Sequence, residues 1–201
     1  MSQQRPPQAR GLITQHRILD AAVRALVDHG YAGASTLRIQ QLARVSRGSL
    51  LHQFPSRDAL LVAAVQHLAS ARFEALGSQV RWPRDPAERV RAVVETLWAS
   101  YHQDYFWAAT ELWVAARHNE ELRAALRREE RVLYREIRAS TDAMFGAPVN
   151  SHPDYPRIRE LLTTSMRGVA MTYAFDRRDA TRDPHLRSWT AQAIDLLVPY
   201  L

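Results

Sequence analysis

The sequence predicts an all-α protein. Glycine is scarce, with 7 among 201 residues. Apolar residues recur three and four positions apart along most of the chain, as in helices that bury one face. No segment shows the strict alternation of apolar and polar residues that is typical of a half-buried strand. The segment RWPRDP at 81–86 is the clearest break between helices.

The basic charge is concentrated at one end of the chain. Residues 1–57 hold eight arginines against Asp20 and Asp28, a net charge of +6, which is also the formal net charge of the whole protein. A basic surface at one end is typical of a protein that binds a phosphate backbone. On charge alone, a solvated basic tail explains the pattern equally well.

Several classes of protein are disfavoured by what the sequence lacks. It has no cysteine, no apolar run of membrane-spanning length and no signal-peptide core at its N-terminus. The eight histidines show no zinc-binding spacing, and we find no nucleophile elbow, phosphate loop or dinucleotide fingerprint. We therefore expect a cytoplasmic protein that is not an enzyme and needs neither a metal nor a cofactor.

The N-terminal elements follow from apolar spacing and capping residues. Residues 1–11 have nothing to bury and are expected to be disordered. A first helix is predicted over about 14–29, with Gly30 as its C-cap. Two short helices follow, over 37–44 and 47–54, and a long one covers about 57–79. Ser35 or Thr36 can N-cap the first short helix, and Ser46 the second.

The two short helices and the tight turn between them fit a helix-turn-helix. The first must pack inward, which Leu37, Ile39 and Leu42 permit, and the second keeps Leu50 and Phe54 as an apolar anchor. The side chains expected to face outward are small, polar or basic: Arg47, Gly48, Ser49, His52 and Gln53. Gly48 would let the backbone come close to DNA.

The segment STLRIQQLARVSRGSLLHQFPSRDALLVAAV (35–65) resembles the DNA-binding signature of the TetR family of repressors. The residues that match in type and spacing are Ile39, Ala43, Val45, Ser46, Gly48, Leu50, Phe54, Ser56 and Leu60. The preceding segment, 16–36, is similar to the family's first helix and its Gly-aromatic turn. The helices after residue 65 fit the family's layout without a motif of their own.

Four positions depart from that pattern. Leu51 replaces the usual tyrosine, and Gln53 stands where histidine or tyrosine is common. Gln40 replaces a packed alanine, and Arg44 replaces the glycine of the turn. An arginine there would be strained if the turn requires a positive φ. These departures affect the detailed operator contacts rather than the motif.

The resemblance implies a set of DNA contacts. Arg47, Ser49 and Leu51 would lie near base edges, and Arg47 is the best candidate because arginine pairs with guanine in the commonest specific major-groove contact. Near phosphates it implies Ser46, His52, Gln53 and Arg57, with Thr36 and Arg38 holding the backbone from the first short helix. For each residue the alternative is a merely exposed polar side chain.

An aromatic cluster suggests an effector pocket in the later helices. Its candidate residues are Trp98, Tyr101, His102, Tyr105, Phe106, Trp113 and Met166. Aromatic rings with polar tips suit an apolar pocket with a few orienting groups. The helices that carry them would line the effector cavity in a TetR-like protein. An ordinary helical core would use the same residues, so that alternative stays open.

The last two predicted helices, about 157–177 and 185–198, would form a four-helix bundle with a two-fold mate in the resembled family. The residues expected at that dimer interface are Ile158, Leu162, Ser165, Val169, Trp189, Ala193 and Leu196. Packing within one chain is the alternative.

These expectations combine into one hypothesis. An N-terminal three-helix DNA-binding domain with the helix-turn-helix, residues 12–57, precedes a larger helical effector-binding and dimerisation domain, residues 58–201. The protein would repress transcription as a homodimer on double-stranded operator DNA and be released by a small apolar or aromatic effector. The alternatives are an architectural DNA-binding protein without an effector and a small helical ligand carrier or enzyme.

Overall fold

The computed structural model describes residues 7–79, 81–176 and 178–199, and within those ranges every regular element is helical. The α-helices are α1 (Pro7–Gly33), α2 (Thr36–Ala43), α3 (Arg47–Gln53), α4 (Arg57–Gln79), α5 (Pro86–Ser100), α6 (Asp104–Ala115), α7 (Glu120–Phe145), α8 (Tyr155–Thr172) and α9 (Pro184–Leu197). The predicted all-α class is confirmed.

Contacts divide the chain into two compact units that do not follow sequence order. The first unit contains the chain up to Arg72 together with Asp104–Arg135, and the second contains Phe73–Gln103 together with the chain from Glu136 onward. The first unit therefore includes α6 as well as the helix-turn-helix. The division of function at residues 57 and 58 stays a prediction.

Helix α1 is the central element of the first unit. Ile18, Ala22 and Leu26 recur at a spacing of four and are fully buried. They share a core with Leu112 of α6 and Leu122 of α7. The helix begins at Pro7, which suits a first helical turn because that position needs no N–H donor. Residues 7–11 are thus helical rather than disordered, and residues 1–6 of the predicted tail lie outside the described residues.

Helix α4 contains a stretch, Arg57–Leu76, that is long and apolar enough to cross a membrane by length and composition. This corrects the expectation that the chain has no such stretch. Leu60, Leu61 and Val65 belong to the same buried core as α1, so packing within the first unit accounts for part of its apolar character.

The second unit is held together by α5 and α9 around Trp98, Trp189 and Ala193, all of them buried. Asp183 caps α9 by accepting a hydrogen bond from the backbone of His185 at 2.9 Å. It also accepts one from the hydroxyl of Tyr173 at 2.6 Å. Burial opposes ionisation of Asp183, but these hydrogen bonds outweigh it and lower the pKa of the carboxyl group.

Candidate DNA-binding surface and ligand cavity

Local hydrogen bonds build the helix-turn-helix. The Ser35 hydroxyl accepts from the backbone N–H of Arg38 at the start of α2, and the Ser46 hydroxyl accepts from that of Ser49 at the start of α3, both at 3.2 Å. Each serine thereby satisfies a helix N–H that has no partner within its helix. Of the two candidates for the first short helix, Ser35 is the N-cap, and Ser46 caps the second as predicted.

The turn between α2 and α3 requires a left-handed residue. Arg44 has φ 52° and ψ 49°, and it is the only non-glycine residue with positive φ in the part of the chain that the structure describes. The turn therefore does require a positive φ at the position where the family pattern has glycine. Arg44 is strained there because it carries a Cβ. Arg17 of α1 donates to the carbonyls of Ala43 and Arg44 at 2.6 and 3.0 Å and so caps the end of α2.

Helix α3 has one buried and one exposed face. Leu50, with Phe54 just after the helix, is buried as predicted. The exposed face presents Arg47, Gly48 and His52, and the side chain of Leu51 is 50% exposed there. Apart from its own stretch of helix backbone, no described atom lies closer than 4.0 Å to where a Cβ on Gly48 would stand, so the backbone is open to a close approach.

The remaining predicted contact residues differ in their exposure. Thr36 and Ser46 are exposed at the starts of their helices, while Ser49 and Gln53 are half-buried. The side-chain oxygen of Gln53 is buried and accepts no hydrogen bond from the described residues. Gln53 is therefore less available to a phosphate than His52.

Two leucines of α2 do not pack as the sequence suggested. Ile39 and Ala43, four positions apart, form the buried face of this helix. Leu37 is two positions from Ile39, which places it on the opposite side of the helix, and it is 60% exposed. Leu42 lies at the edge of the buried face and is also exposed. The expectation that both pack inward is wrong.

Two arginines that were predicted to lie near the DNA backbone donate hydrogen bonds within the protein. The guanidinium of Arg57 donates to the backbone carbonyls of Tyr31 and, at 2.9 Å, Ala34, and its third nitrogen lies 3.5 Å from Asp58. It also lies over the ring of Tyr31, 4.2 Å from the centroid. The guanidinium of Arg38 donates to the carbonyl of Gly33. Both hold the turn between α1 and α2, so Arg57 has a structural role, and its contact with a phosphate stays a prediction.

A polar network that sequence reasoning missed joins the helix-turn-helix to α6 and α7. Glu111 of α6 accepts from the backbone N–H of Tyr31 at 3.0 Å. The Tyr31 hydroxyl donates to Asp58 at 2.8 Å, and the amide of Asn119 donates to Tyr31 at 2.9 Å and to Asp58 at 3.3 Å. Burial and the Asp58 carboxylate raise the pKa of Tyr31, which keeps its hydroxyl protonated.

The sequence of residues 18–64 matches the family model described as "Bacterial regulatory proteins, tetR family". The matched residues include α2, α3 and the strained turn between them. The chain carries a TetR-family DNA-binding domain over these residues. Over 196 residues, it is 27% identical to the HTH-type transcriptional regulator CymR of Pseudomonas putida, and the match covers 96% of this chain and 95% of CymR.

Further comparisons give one curated regulator and two solved structures. The HTH-type transcriptional regulator BetI of Burkholderia cenocepacia is 31% identical over 83 residues, 41% of this chain and 43% of BetI. Among solved structures, Salmonella enterica GusR matches with a TM-score of 0.66 at 22% identity, over 98% of this chain and 99% of that one. Bacillus subtilis FadR, solved with stearoyl-CoA, matches with a TM-score of 0.62 at 16% identity, over 92% of this chain and 98% of that one. These likenesses show that the fold is that of TetR-family regulators.

The residues predicted to form the effector pocket fall into two groups. Tyr105, Phe106 and Trp113 belong to the first unit, whereas Trp98, Tyr101, His102 and Met166 belong to the second. Trp113 donates through Nε1 to Glu130 at 2.9 Å, and the Tyr101 hydroxyl donates to the carbonyl of Thr163 at 2.8 Å. Met166 is fully buried in the core. Hydrogen bonds and packing thus already engage several of them.

A cavity of about 500 Å³ lies within the second unit. Its lining residues are Glu95, Trp98, Ala99, His102, Gln103, Ala180, Thr181 and Leu186, so it includes Trp98 and His102 of the predicted pocket. The Trp98 indole is fixed by a 2.8 Å hydrogen bond from Nε1 to the carbonyl of Ala180. The cavity is a candidate site for a small molecule.

The imidazole of His102 lies at an aromatic wall of this cavity. Its ring centroid is 4.5 Å from that of Trp98 and 4.7 Å from that of Tyr173. Burial lowers the pKa of His102, although Asp183 partly opposes the shift, so the ring is neutral at pH 7. Its Nε2 atom is buried and has no hydrogen-bond partner among the described residues.

The predicted dimer residues lie mostly inside the protomer. Ile158, Leu162, Trp189 and Ala193 are buried in the second unit, Ser165 and Val169 are half-buried, and Leu196 is exposed. A side chain that is already buried has almost no surface left to bury against a partner. The first four are therefore core residues, and the apolar surface of α8 lies on its other side, at Leu161 and Met171.

Proposed function

We propose that this TetR-family regulator is a ligand-responsive repressor that binds a pseudo-palindromic operator as a homodimer. The observation that carries the proposal is the exposed face of α3, where Arg47, Gly48 and His52 stand opposite the buried anchor of Leu50 and Phe54. Such a face can enter a major groove while the anchor keeps the helix on its domain. The concentration of all the net positive charge in residues 1–57 supports a phosphate-backbone partner.

Within this proposal the contacts divide by side-chain chemistry. Arg47 reads a guanine through its two-donor edge. Thr36, Ser46 and His52 are exposed donors placed to bind phosphates. Arg57 and Arg38 support this surface from behind, because their guanidinium groups bond the turn that precedes α2.

A dimer interface is supported by an apolar stripe on the exposed side of α8. Leu161, Gly168, Met171 and Phe175 recur at spacings of three, four and seven, and Phe175, just beyond the helix, is 83% exposed. Apart from its own stretch of helix backbone, no described atom lies within 4 Å of where a Cβ on Gly168 would stand, so another helix can approach closely there. With Leu196 of α9, these residues form a surface that a two-fold mate would cover.

Sedimentation velocity tests that interface. Leu161→Glu places a charge in the stripe and should convert the dimer to monomer, because a buried unpaired carboxylate is strongly unfavourable. Val114→Glu is the matched control, since Val114 is similarly exposed but belongs to α6 of the first unit. A monomeric wild-type protein, or a Leu161→Glu variant that stays dimeric, would contradict the proposed interface.

The effector is proposed to bind in the cavity of the second unit. Trp98, Ala99 and Leu186 offer apolar surface, and the exposed Glu95 and Gln103 add polar groups. Neutral His102 adds a polar edge without a charge. This lining suits a small molecule with an apolar or aromatic body. That FadR was solved with stearoyl-CoA shows that this fold can hold a small molecule.

Binding assays on the full chain separate the three candidate functions. A labelled duplex from the chain's own upstream region should bind specifically and resist a scrambled competitor. Affinity should fall by orders of magnitude from low to high salt, as it does when several phosphates are neutralised. Equal binding to the scrambled duplex would favour an architectural protein. Absence of binding at low salt would exclude both DNA functions and favour a ligand carrier or enzyme.

The effector half of the proposal needs a separate readout. Trp98 lines the cavity, so a hydrophobic ligand should change tryptophan fluorescence and release the operator over the same concentration range. Operator DNA should lower the affinity for the ligand by the same factor by which the ligand lowers the affinity for DNA, because coupling between two sites is reciprocal. A ligand that changes the fluorescence but leaves DNA affinity unaltered would refute release by an effector at this cavity. A cytoplasmic location is part of the same proposal.

A further inference from the structure

The most apolar feature of the proposed DNA-reading face is Leu51. It lies four residues after Arg47, and residues at that spacing share one face of a helix. Arg47, Gly48 and His52 are exposed around it, and half of the Leu51 side chain is accessible. The apolar anchoring of α3 is supplied by Leu50 and Phe54 on the other face. The side chain of Leu51 is thus available to contact a molecule that binds this face of α3.

Base edges in the major groove offer one apolar group, the C5-methyl of thymine. Apart from the small C5–H of cytosine, the other groups that distinguish the bases there are hydrogen-bond donors or acceptors, which a leucine would desolvate without pairing. Leu51 therefore discriminates between bases, although it makes no hydrogen bond. It favours the one base whose methyl group gains from losing contact with water.

We infer that Leu51 is a specificity-determining residue that selects thymine by packing on its C5-methyl group. Four residues along a helix correspond to about 6 Å, and successive bases on one strand are about 3.4 Å apart. The thymine is therefore within about two base pairs of the guanine that Arg47 reads. This inference rests on the proposed function, since it requires α3 to lie in a major groove.

Deoxyuracil tests the inference because it differs from thymine by that methyl group alone and keeps the same hydrogen-bonding edge. The wild-type chain is first used to select its preferred duplex from a random pool. Each thymine of a half-site is then replaced singly by deoxyuracil, and affinities are measured for the wild type, Leu51→Ala and Leu37→Ala. Leu37 is the matched control, because it is an exposed leucine of the same motif on α2.

One thymine should stand out. Its replacement should weaken wild-type binding about fourfold, the factor expected for losing the burial of one methyl group. Leu51→Ala should bind the thymine duplex less tightly than the wild type and lose its response to deoxyuracil at that position. Leu37→Ala should retain the response. Thermal unfolding of Leu51→Ala should match the wild type, because the side chain is not part of the core.

Two results would overturn the inference while leaving the proposed function intact. In one, the wild type binds a selected sequence but tolerates deoxyuracil at every thymine. In the other, Leu51→Ala keeps the full deoxyuracil penalty. A selection that enriches no sequence would instead refute specific operator binding, and the assignment of Leu51 with it.

Discussion

Arg44 lies in the helix-turn-helix turn with φ 52° and ψ 49°, a conformation in which a Cβ crowds the following carbonyl oxygen. For a residue with a Cβ this costs about 1–2 kcal/mol. Glycine removes the crowding, but it makes the unfolded chain more flexible, and the loss of that flexibility on folding costs about 0.4–1 kcal/mol. We therefore expect Arg44→Gly to stabilise the protein by about 0.5–1 kcal/mol.

The backbone contacts of this turn should survive the substitution. Arg17 bonds the carbonyls of residues 43 and 44, which every side-chain variant retains. A gain of that size corresponds to a rise in Tm of about 1–4 °C for a chain of this length. Thermal and urea unfolding followed by circular dichroism would measure it, with the slope of the urea transition checked for constancy.

Arg44→Ala is the matched control because it removes the same charge and the same long side chain but keeps the Cβ. It should show no comparable gain in stability. If alanine stabilises the protein as much as glycine does, relief of charge repulsion near Arg17 would explain the effect, and the strain argument would be refuted. A change in operator affinity that both variants share is assigned to the lost charge.

Three further predictions follow from the site and the cavity. Arg47→Ala should weaken operator binding by about 1–3 kcal/mol and relax the preference at one base pair per half-site; an unchanged sequence preference, measured by selection, would show that a different face of α3 reads the DNA. Arg57→Ala should lower the free energy of unfolding by about 1–3 kcal/mol, since it removes the side-chain partner of two partly buried carbonyls. A uniform loss of DNA affinity at unchanged stability would instead favour a role as a phosphate ligand alone. Burial lowers the pKa of His102, so the unfolded chain takes up the proton first and stability falls as the pH drops below about 6.5. Between pH 7.5 and 5.5, His102→Gln should therefore lose less stability in urea unfolding than the wild type does. Equal losses would count against this role of His102.

The sequence by itself determined the features that depend on neighbours along the chain. Helix periodicity, the N-cap Ser46 and the Leu50–Phe54 anchor each involve residues within a few positions of one another. The family's DNA-binding signature lies in such a segment, so the fold class and the TetR assignment were predictable. The excess of positive charge in residues 1–57 is likewise a property of composition.

Only the tertiary structure decided the features that depend on which helices meet. Tyr31, Asp58, Asn119 and Glu111 form one network although up to 88 positions separate them. Each carries at most a local signal, such as the place of Asn119 just before α7, and none indicates its partner. Ile158 and Leu162 face the core whereas Leu161 faces outward, a choice that helical spacing leaves open. An arginine is usually expected to be exposed, but the side chain of Arg57 turns toward the protein because it donates hydrogen bonds to two backbone carbonyls. A helix pattern fixes which residues share a face, but the face that is buried depends on surfaces supplied by distant parts of the chain.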